Sequence, residues 1–87
     1  MGALRRKGAY CWKNHGSEYS IAGLPDITGV YKGMFFAFET KLPEKRSNTS
    51  PKQDREMEKI RLAGGMAKVV CTIQEAEMYL DELWLDR

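Results

Sequence analysis

The run Pro25-Asp26-Ile27-Thr28-Gly29-Val30-Tyr31-Lys32-Gly33-Met34-Phe35-Phe36-Ala37-Phe38-Glu39-Thr40-Lys41 constrains this chain more than any other stretch. β-Branched and aromatic residues on both sides of Lys32-Gly33 read as two short strands joined by a tight turn, with Gly33 supplying the positive φ a hairpin needs. Strand side chains alternate faces, so Glu39 and Lys41 emerge on one side while Thr40 points to the other. Folding back at Gly33 brings Asp26, at the start of the first strand, beside Glu39 at the end of the second. The second strand is nearly continuous in apolar residues, which implies burial on both faces.

The rest of the chain must cover this hairpin. With 87 residues and 43% hydrophobic content, it is expected to form one small domain over residues 1–87 with a single modest core. Ala3 to Asn14 reads as a weak helix using Leu4, Tyr10, Cys11 and Trp12, with Gly8 counting against it. His15-Gly16 ends that segment, and Ser17 to Leu24 is a connector. Leu42 to Thr49 is a polar loop and the segment expected to be most mobile. A helix start follows, with Ser50 as N-cap, Pro51 at the first helical position and Gln53 three residues after the cap. Met57, Ile60 and Ala63 form its inward face, and Gly64-Gly65 stops it. Ala67 to Cys71 reads as a strand, and Thr72-Ile73-Gln74-Glu75 opens a last helix through Ala76, Tyr79, Leu80, Leu83 and Trp84. The crossover helix lets the last strand lie parallel to the one ending at Glu39. The expected fold is α/β, a small mixed β-sheet flanked by helices.

No stretch approaches the length of a membrane span, and no apolar segment follows the basic start as in a secretory signal. Cys11 and Cys71 lack metal-knuckle spacing and do not suggest a disulfide-stapled secreted chain, so a reducing, intracellular setting is expected. The net charge is only +2, but its distribution is uneven. Arg5, Arg6, Lys7 and Lys13 meet no acid before Glu18; Lys41, Lys45, Arg46, Lys52 and Arg55 form a second basic stretch. Such flanks suit a polyanion whose phosphate is held at a metal, and they equally suit ordinary solvated surface.

The carboxylate pair carries the chemistry. Two carboxylates about 5 Å apart repel by roughly 3 kcal/mol at an effective dielectric near 20, and a divalent cation reverses that sign. Mg²⁺ or Mn²⁺ takes such oxygen donors together with carbonyls, waters and substrate phosphate. The Thr40 carbonyl lies between two of the site residues. Lys41 is then set to orient an attacking water or stabilise charge in phosphodiester hydrolysis. Gln53 has two readings: it shares a helix face with Met57 and Ile60 and can reach the carboxylates, or it satisfies the Ser50 amide in a capping box. Singly, Asp26 is also a turn residue, and Glu39–Lys41 a surface ion pair worth under about 1 kcal/mol. His15 reads as structural or exposed, and the hairpin aromatics as core.

Pro25-Asp26 followed by Glu39-Thr40-Lys41 matches the PD-(D/E)XK nuclease signature. With Gly23-Leu24 before it, Ser50-Pro51-Lys52-Gln53 after it, and Gly64-Gly65 ahead of Ala67 to Val70, the pattern resembles the VRR-NUC branch of that superfamily from about Gly23 to Cys71. The resemblance implies a restriction endonuclease-like core and a Mg²⁺- or Mn²⁺-dependent endonuclease hydrolysing phosphodiester bonds in DNA. Stand-alone members are small, often phage- or prophage-borne, and similar to Holliday junction resolvases that act as homodimers. That implies branched DNA (four-way junctions or flaps) as substrate, in replication, recombination or repair, and a bacterial cytoplasm as the setting.

Carried over, Asp26 and Glu39 become metal ligands with the Thr40 carbonyl as a third, Lys41 the catalytic lysine, and Gln53 a site-ordering residue. Lys45, Arg46, Asn48, Ser50 and Lys52 are the expected DNA contacts. Relatives commonly place a glutamate on the first helix; no acid precedes Glu18 here. That departure leaves room for a non-catalytic DNA-binding or assembly module of the same fold. A sequence-specific restriction-type nuclease is a weaker reading, because no additional recognition domain is evident. For the homodimer, the first helix or the last helix, with Tyr79, Leu83 and Trp84, is the expected interface.

Overall fold

The computed structural model describes residues 1–14 and 23–85, the last two of these through their backbone alone. Its elements are α1 (Gly2–Arg6), β1 (Tyr10–Lys13), β2 (Ile27–Tyr31), β3 (Met34–Thr40), a 3₁₀ turn (Pro43–Lys45), α2 (Pro51–Leu62), β4 (Met66–Val70) and α3 (Ile73–Leu85). The four strands form one sheet in the order β1-β2-β3-β4. β1, β2 and β3 are antiparallel neighbours, and β4 runs parallel to β3 after the α2 crossover. The expected α/β arrangement with a mixed sheet is what the chain adopts.

The hairpin turns at Lys32-Gly33, where φ is 52° and 83°. Positive φ at both central residues is the mark of the two-residue turn whose twist matches that of its strands. Its register pairs Tyr31 with Met34 and Ile27 with Phe38. Phe36, Ala37 and Phe38 are fully buried, so the apolar run of β3 does pack on both faces.

The expected helix from Ala3 to Asn14 is not formed. Helix is confined to Gly2–Arg6, the chain turns at Gly8, and Tyr10–Lys13 becomes an edge strand against β2. Tyr, Cys and Trp favour a half-buried pleated surface, and the available neighbour strand decides the outcome. Of the expected connector, only Gly23 and Leu24 are among the described residues; His15, Gly16 and Glu18 are not.

Alternation sorts the side chains. On one face Cys11, Tyr31, Phe36, Phe38 and Val70 meet Leu4 of α1 and Ala76, Leu80 and Leu83 of α3 in the main core. Tyr79 packs its ring on Phe38, with centroids 6.3 Å apart. Of the α3 residues expected at a dimer interface, Leu83 is buried in the core and Tyr79 is half-buried with its ring on Phe38. The side chain of Trp84 lies outside the described residues. On the other face, α2 packs against β4, with Met57 buried alongside Ala37 and Ala67.

Both sheet edges carry an arginine on an outward carbonyl. Arg5 Nη2 donates to Cys11 O at 3.2 Å on β1, and Arg61 Nε and Nη2 donate to Ala67 O at 3.0 and 2.8 Å on β4. Unpaired edge groups invite pairing with another chain, and these guanidinium groups blunt that tendency.

Candidate functional site

The site begins with where the β2–β3 ladder stops. Continuing the register places Asp26 opposite Glu39, one step beyond the Ile27–Phe38 pair. The amide of Thr40 would next bond to Pro25, but Asn14 Nδ2 takes the Pro25 carbonyl at 2.8 Å and also reaches Thr28 Oγ1 at 3.3 Å. Asp26 fills the gap: its Oδ2 accepts from the Thr40 amide at 3.0 Å and from Thr40 Oγ1 at 2.6 Å. A side-chain carboxylate thus replaces the last rung of the ladder.

Successive amides of β3 alternate direction. The Thr40 N–H faces Asp26, while the Lys41 N–H donates to Val70 O at 3.0 Å on the β4 side. A strand residue's carbonyl lies on the same edge as its own N–H, so the Thr40 carbonyl is directed toward the Asp26 side.

Glu39 lies on the α2 face and is only 4% exposed. Gln53 Nε2 donates to its Oε2 at 3.1 Å, and Lys41 Nζ lies 3.7 Å from the same oxygen. Its Oε1 is buried with no hydrogen-bond partner. An orphaned buried carboxylate oxygen is costly. Burial pushes the Glu39 carboxyl above its ordinary value and Asp26 adds repulsion, while Lys41 and the Asp26 amide pull the other way without cancelling them.

Both readings of Gln53 hold at once. Ser50 opens α2 as N-cap: its Oγ accepts from the Gln53 amide at 3.2 Å, and its own N–H donates to Gln53 Oε1 at 3.0 Å. The side-chain oxygen is committed to the cap, so the side-chain nitrogen faces Glu39. This first turn is seated by Gly23, where a Cβ would lie 2.6 Å from the carbonyl carbon and oxygen of Lys52.

The expected phosphate contacts divide. Lys45, Asn48 and Lys52 are exposed. Arg46 is not available in the way expected: its Nη2 donates to Glu75 Oε2 at 2.8 Å, while Glu75 Oε1 accepts from the Cys71 amide at 2.7 Å. These bonds hold the Glu75 carboxyl below its ordinary value, and Glu75 raises that of Arg46. They also tie the loop to the start of α3, and the loop itself is tightened by the 3₁₀ turn at Pro43–Lys45. Ser50 is engaged in the cap. Asn14 was not among the expected site residues; the strand-type run Tyr10-Cys11-Trp12 just before it was the available signal.

Among the described residues no group of three or more His, Cys, Asp or Glu side chains gathers. A cation here would rest, among the described residues, on Asp26, Glu39, main chain and water. The donor set fits a hard divalent ion, since all its atoms are oxygens and one of them, Glu39 Oε1, lacks a protein partner. α1 contains no acid. A cavity of about 230 Å³, lined by Leu4, Phe38, Val70, Cys71 and Ala76 among others, lies on the α1–α3 face and is mostly apolar. It does not include Glu39 or Lys41. No family model matches the chain, and no curated protein matches its sequence.

Proposed function

We propose that the chain is a metal-dependent, structure-selective DNA endonuclease with a PD-(D/E)XK core of the VRR-NUC type, acting on branched DNA such as four-way junctions or flaps. The observation that carries this reading is the buried, unpartnered Oε1 of Glu39, whose other oxygen is met by Gln53 and Lys41 and whose charge is opposed by nearby Asp26. A merely structural Glu–Lys pair would not need a buried carboxylate with a spare oxygen.

In this reading Asp26, Glu39 and the Thr40 carbonyl would hold Mg²⁺ or Mn²⁺, which supplies Lewis-acid stabilisation of charge on the phosphodiester. Gln53 holds Glu39 through one oxygen, and the unpartnered other oxygen would be the one to meet the ion. Thr40 fixes Asp26 in the same way. Lys41 is partly exposed beside the carboxylate, where its ammonium can orient water or donate to a phosphoryl oxygen. Lys45 and Lys52 supply exposed charge for the flanking backbone.

A homodimer belongs to the same proposal, because a two-fold pair sets two sites against two strands of a junction. Among the described residues no helix is long and apolar enough to cross a membrane. Action in a bacterial cytoplasm remains part of the reading.

The test is cleavage of labelled flap, fork, four-way and plain duplex DNA in Mg²⁺ or Mn²⁺. Branched substrates should be cut, and Lys41→Ala should slow cutting by about 100-fold or more. Equal cleavage by that variant would remove the mechanism. The lack of an acid on α1 favours one other reading, a non-catalytic DNA-binding or assembly module of the same fold. Tight binding to branched DNA without cleavage in either metal would establish it.

A further inference from the structure

One residue holds the chain on both sides of Asp26. The Asn14 backbone amide donates to Asp26 O at 2.7 Å, one step past the Lys13–Ile27 pair that ends β1. Its side-chain Nδ2 donates to Pro25 O at 2.8 Å and also reaches Thr28 Oγ1 at 3.3 Å. The Pro25 carbonyl belongs to the peptide unit that precedes the Asp26 Cα, and the Asp26 carbonyl to the unit that follows it. Peptide units are planar, so each residue has only two soft backbone dihedrals, φ and ψ. Pinning the planes on both sides of Asp26 restrains both, and with them the direction in which its Cβ leaves the chain.

The surroundings make this hold a firm one. Pro25 is fully buried and its ring sets its own φ, so the chain enters Asp26 from an anchored point. Thr28, only 5% exposed, lies two residues beyond Asp26 on the same face, so the Asn14 side chain bridges across it. Continued register sets Asn14, Asp26 and Glu39 in one row across the sheet. From the β3 side of that row, the Thr40 amide and hydroxyl hold Asp26 Oδ2 at 3.0 and 2.6 Å. The Asp26 backbone is thus set from β1 and its carboxylate from β3. Ending the ladder requires only the backbone rung from Asn14; the side-chain rung onto Pro25 is additional.

We propose that Asn14 is a positioning residue for Asp26: by holding both peptide units that meet there, it aims the carboxylate at the cation shared with Glu39. The inference rests on the proposed reading of that pair as ligands of Mg²⁺ or Mn²⁺, and deepens it. Mg²⁺ demands near-ideal geometry at about 2.0–2.1 Å from its ligands, so a small swing of the Asp26 backbone is felt as lost affinity. Hydrogen-bond partners that orient metal ligands carry about 10- to 100-fold in affinity. Asn14 acts here as a donor, through nitrogen, and needs no contact with the ion.

The experiment titrates Mn²⁺ into the protein, read by water-proton relaxation, and follows the Thr40 amide by NMR in metal-free buffer. Glu39→Gln should abolish the Mn²⁺ binding and so assign it to this site. Asn14→Ala should weaken Mn²⁺ about tenfold or more, and its Thr40 amide proton should move upfield as the bond to Asp26 lengthens. Arg5→Ala, which loosens β1 through the Cys11 carbonyl instead, should leave both readouts near wild type. Thermal melting checks that each variant is folded at the temperature used. A second measurement needs no variant: by linkage, Mg²⁺ added to wild type should slow hydrogen exchange of the Asn14 side-chain amide. Unchanged exchange overturns the proposal, as does a loss in Arg5→Ala equal to that in Asn14→Ala, which would make Asn14 a general strand anchor. If wild type binds no Mn²⁺ and cuts no DNA, yet the Thr40 amide moves in Asn14→Ala, the metal reading fails and the positioning of Asp26 stands. If wild type binds Mn²⁺ through Glu39 and Asn14→Ala matches it in both readouts, the positioning alone fails.

Discussion

Gln53 and Glu39 share a hydrogen bond that ties the first turn of α2 to the end of β3, with Nε2 3.1 Å from Oε2. The same amide closes the capping box on Ser50 through its oxygen. One side chain therefore couples helix initiation to the orientation of a buried carboxylate. Gln53→Ala should lose both bonds, at about 1–3 kcal/mol in urea denaturation. Gln53→Glu separates the roles, since a carboxylate still accepts from Ser50 but cannot donate to Glu39. In that variant the ¹³C-detected titration of the Glu39 carboxyl should move further up. A titration that stays put would show that Gln53 does not govern Glu39.

Glu39 takes up a proton more readily in the folded chain than its ordinary value of 4.5 implies, because burial and then Asp26 penalise its charge. For a carboxyl raised on folding, the stability it contributes is fully present below the unfolded value and is lost as pH rises through the folded one. Glu39→Gln, neutral throughout, should melt higher than wild type in metal-free buffer near pH 7, and the gain should vanish below 4.5. Adding millimolar Mg²⁺ should raise the wild-type midpoint by mass action and leave Glu39→Gln unmoved. A Mg²⁺ shift of equal size in both proteins would place the ion elsewhere.

Gly23 has φ near 87°, and its absent Cβ makes room for the Lys52 carbonyl. Gly23→Ala meets both a left-handed backbone penalty and a clash with main chain, which cannot swing aside as a side-chain tip can. The expected cost is about 2 kcal/mol or more in urea denaturation. The displaced helix start should also shift the Gln53 side-chain amide resonances. A variant as stable as wild type, with those resonances unchanged, would mean that the two segments do not meet.

Arg46 is held by Glu75, whereas Lys45 and Lys52 are exposed. Lys45→Ala and Lys52→Ala should each flatten the slope of log affinity against log salt by about 0.7–0.9 for DNA binding. Arg46→Ala should leave that slope nearly unchanged. Glu75→Gln should steepen it by a similar increment as the guanidinium is released to phosphate. Because the Glu75 carboxyl is depressed on folding, its contribution to stability is present above the ordinary value of 4.5 and is lost as pH falls through the folded one. An Arg46→Ala slope as flat as that of Lys45→Ala would show that the ion pair opens on DNA.

What the amino-acid order determines by itself is short in range. Lys32-Gly33 sets the hairpin, β alternation puts Glu39 and Lys41 on one face, and Ser50 with Gln53 starts α2. Each depends on residues a few positions apart, where backbone sterics and local hydrogen bonds decide. The edge strand Tyr10–Lys13 was not legible, because four residues satisfy helical and extended periodicity alike until β2 offers a ladder. Arg46 shows the same limit: its partner Glu75 is 29 positions away and reaches it only because the loop and the start of α3 converge. Whether Gln53 caps or reaches Glu39 was likewise undecidable from spacing. Docking of α2 against β4, the neighbour of β3, brings the first turn of α2 within reach of Glu39 and allows both. Local chemistry chose the elements, and burial of the shared faces, which no short window contains, chose their partners.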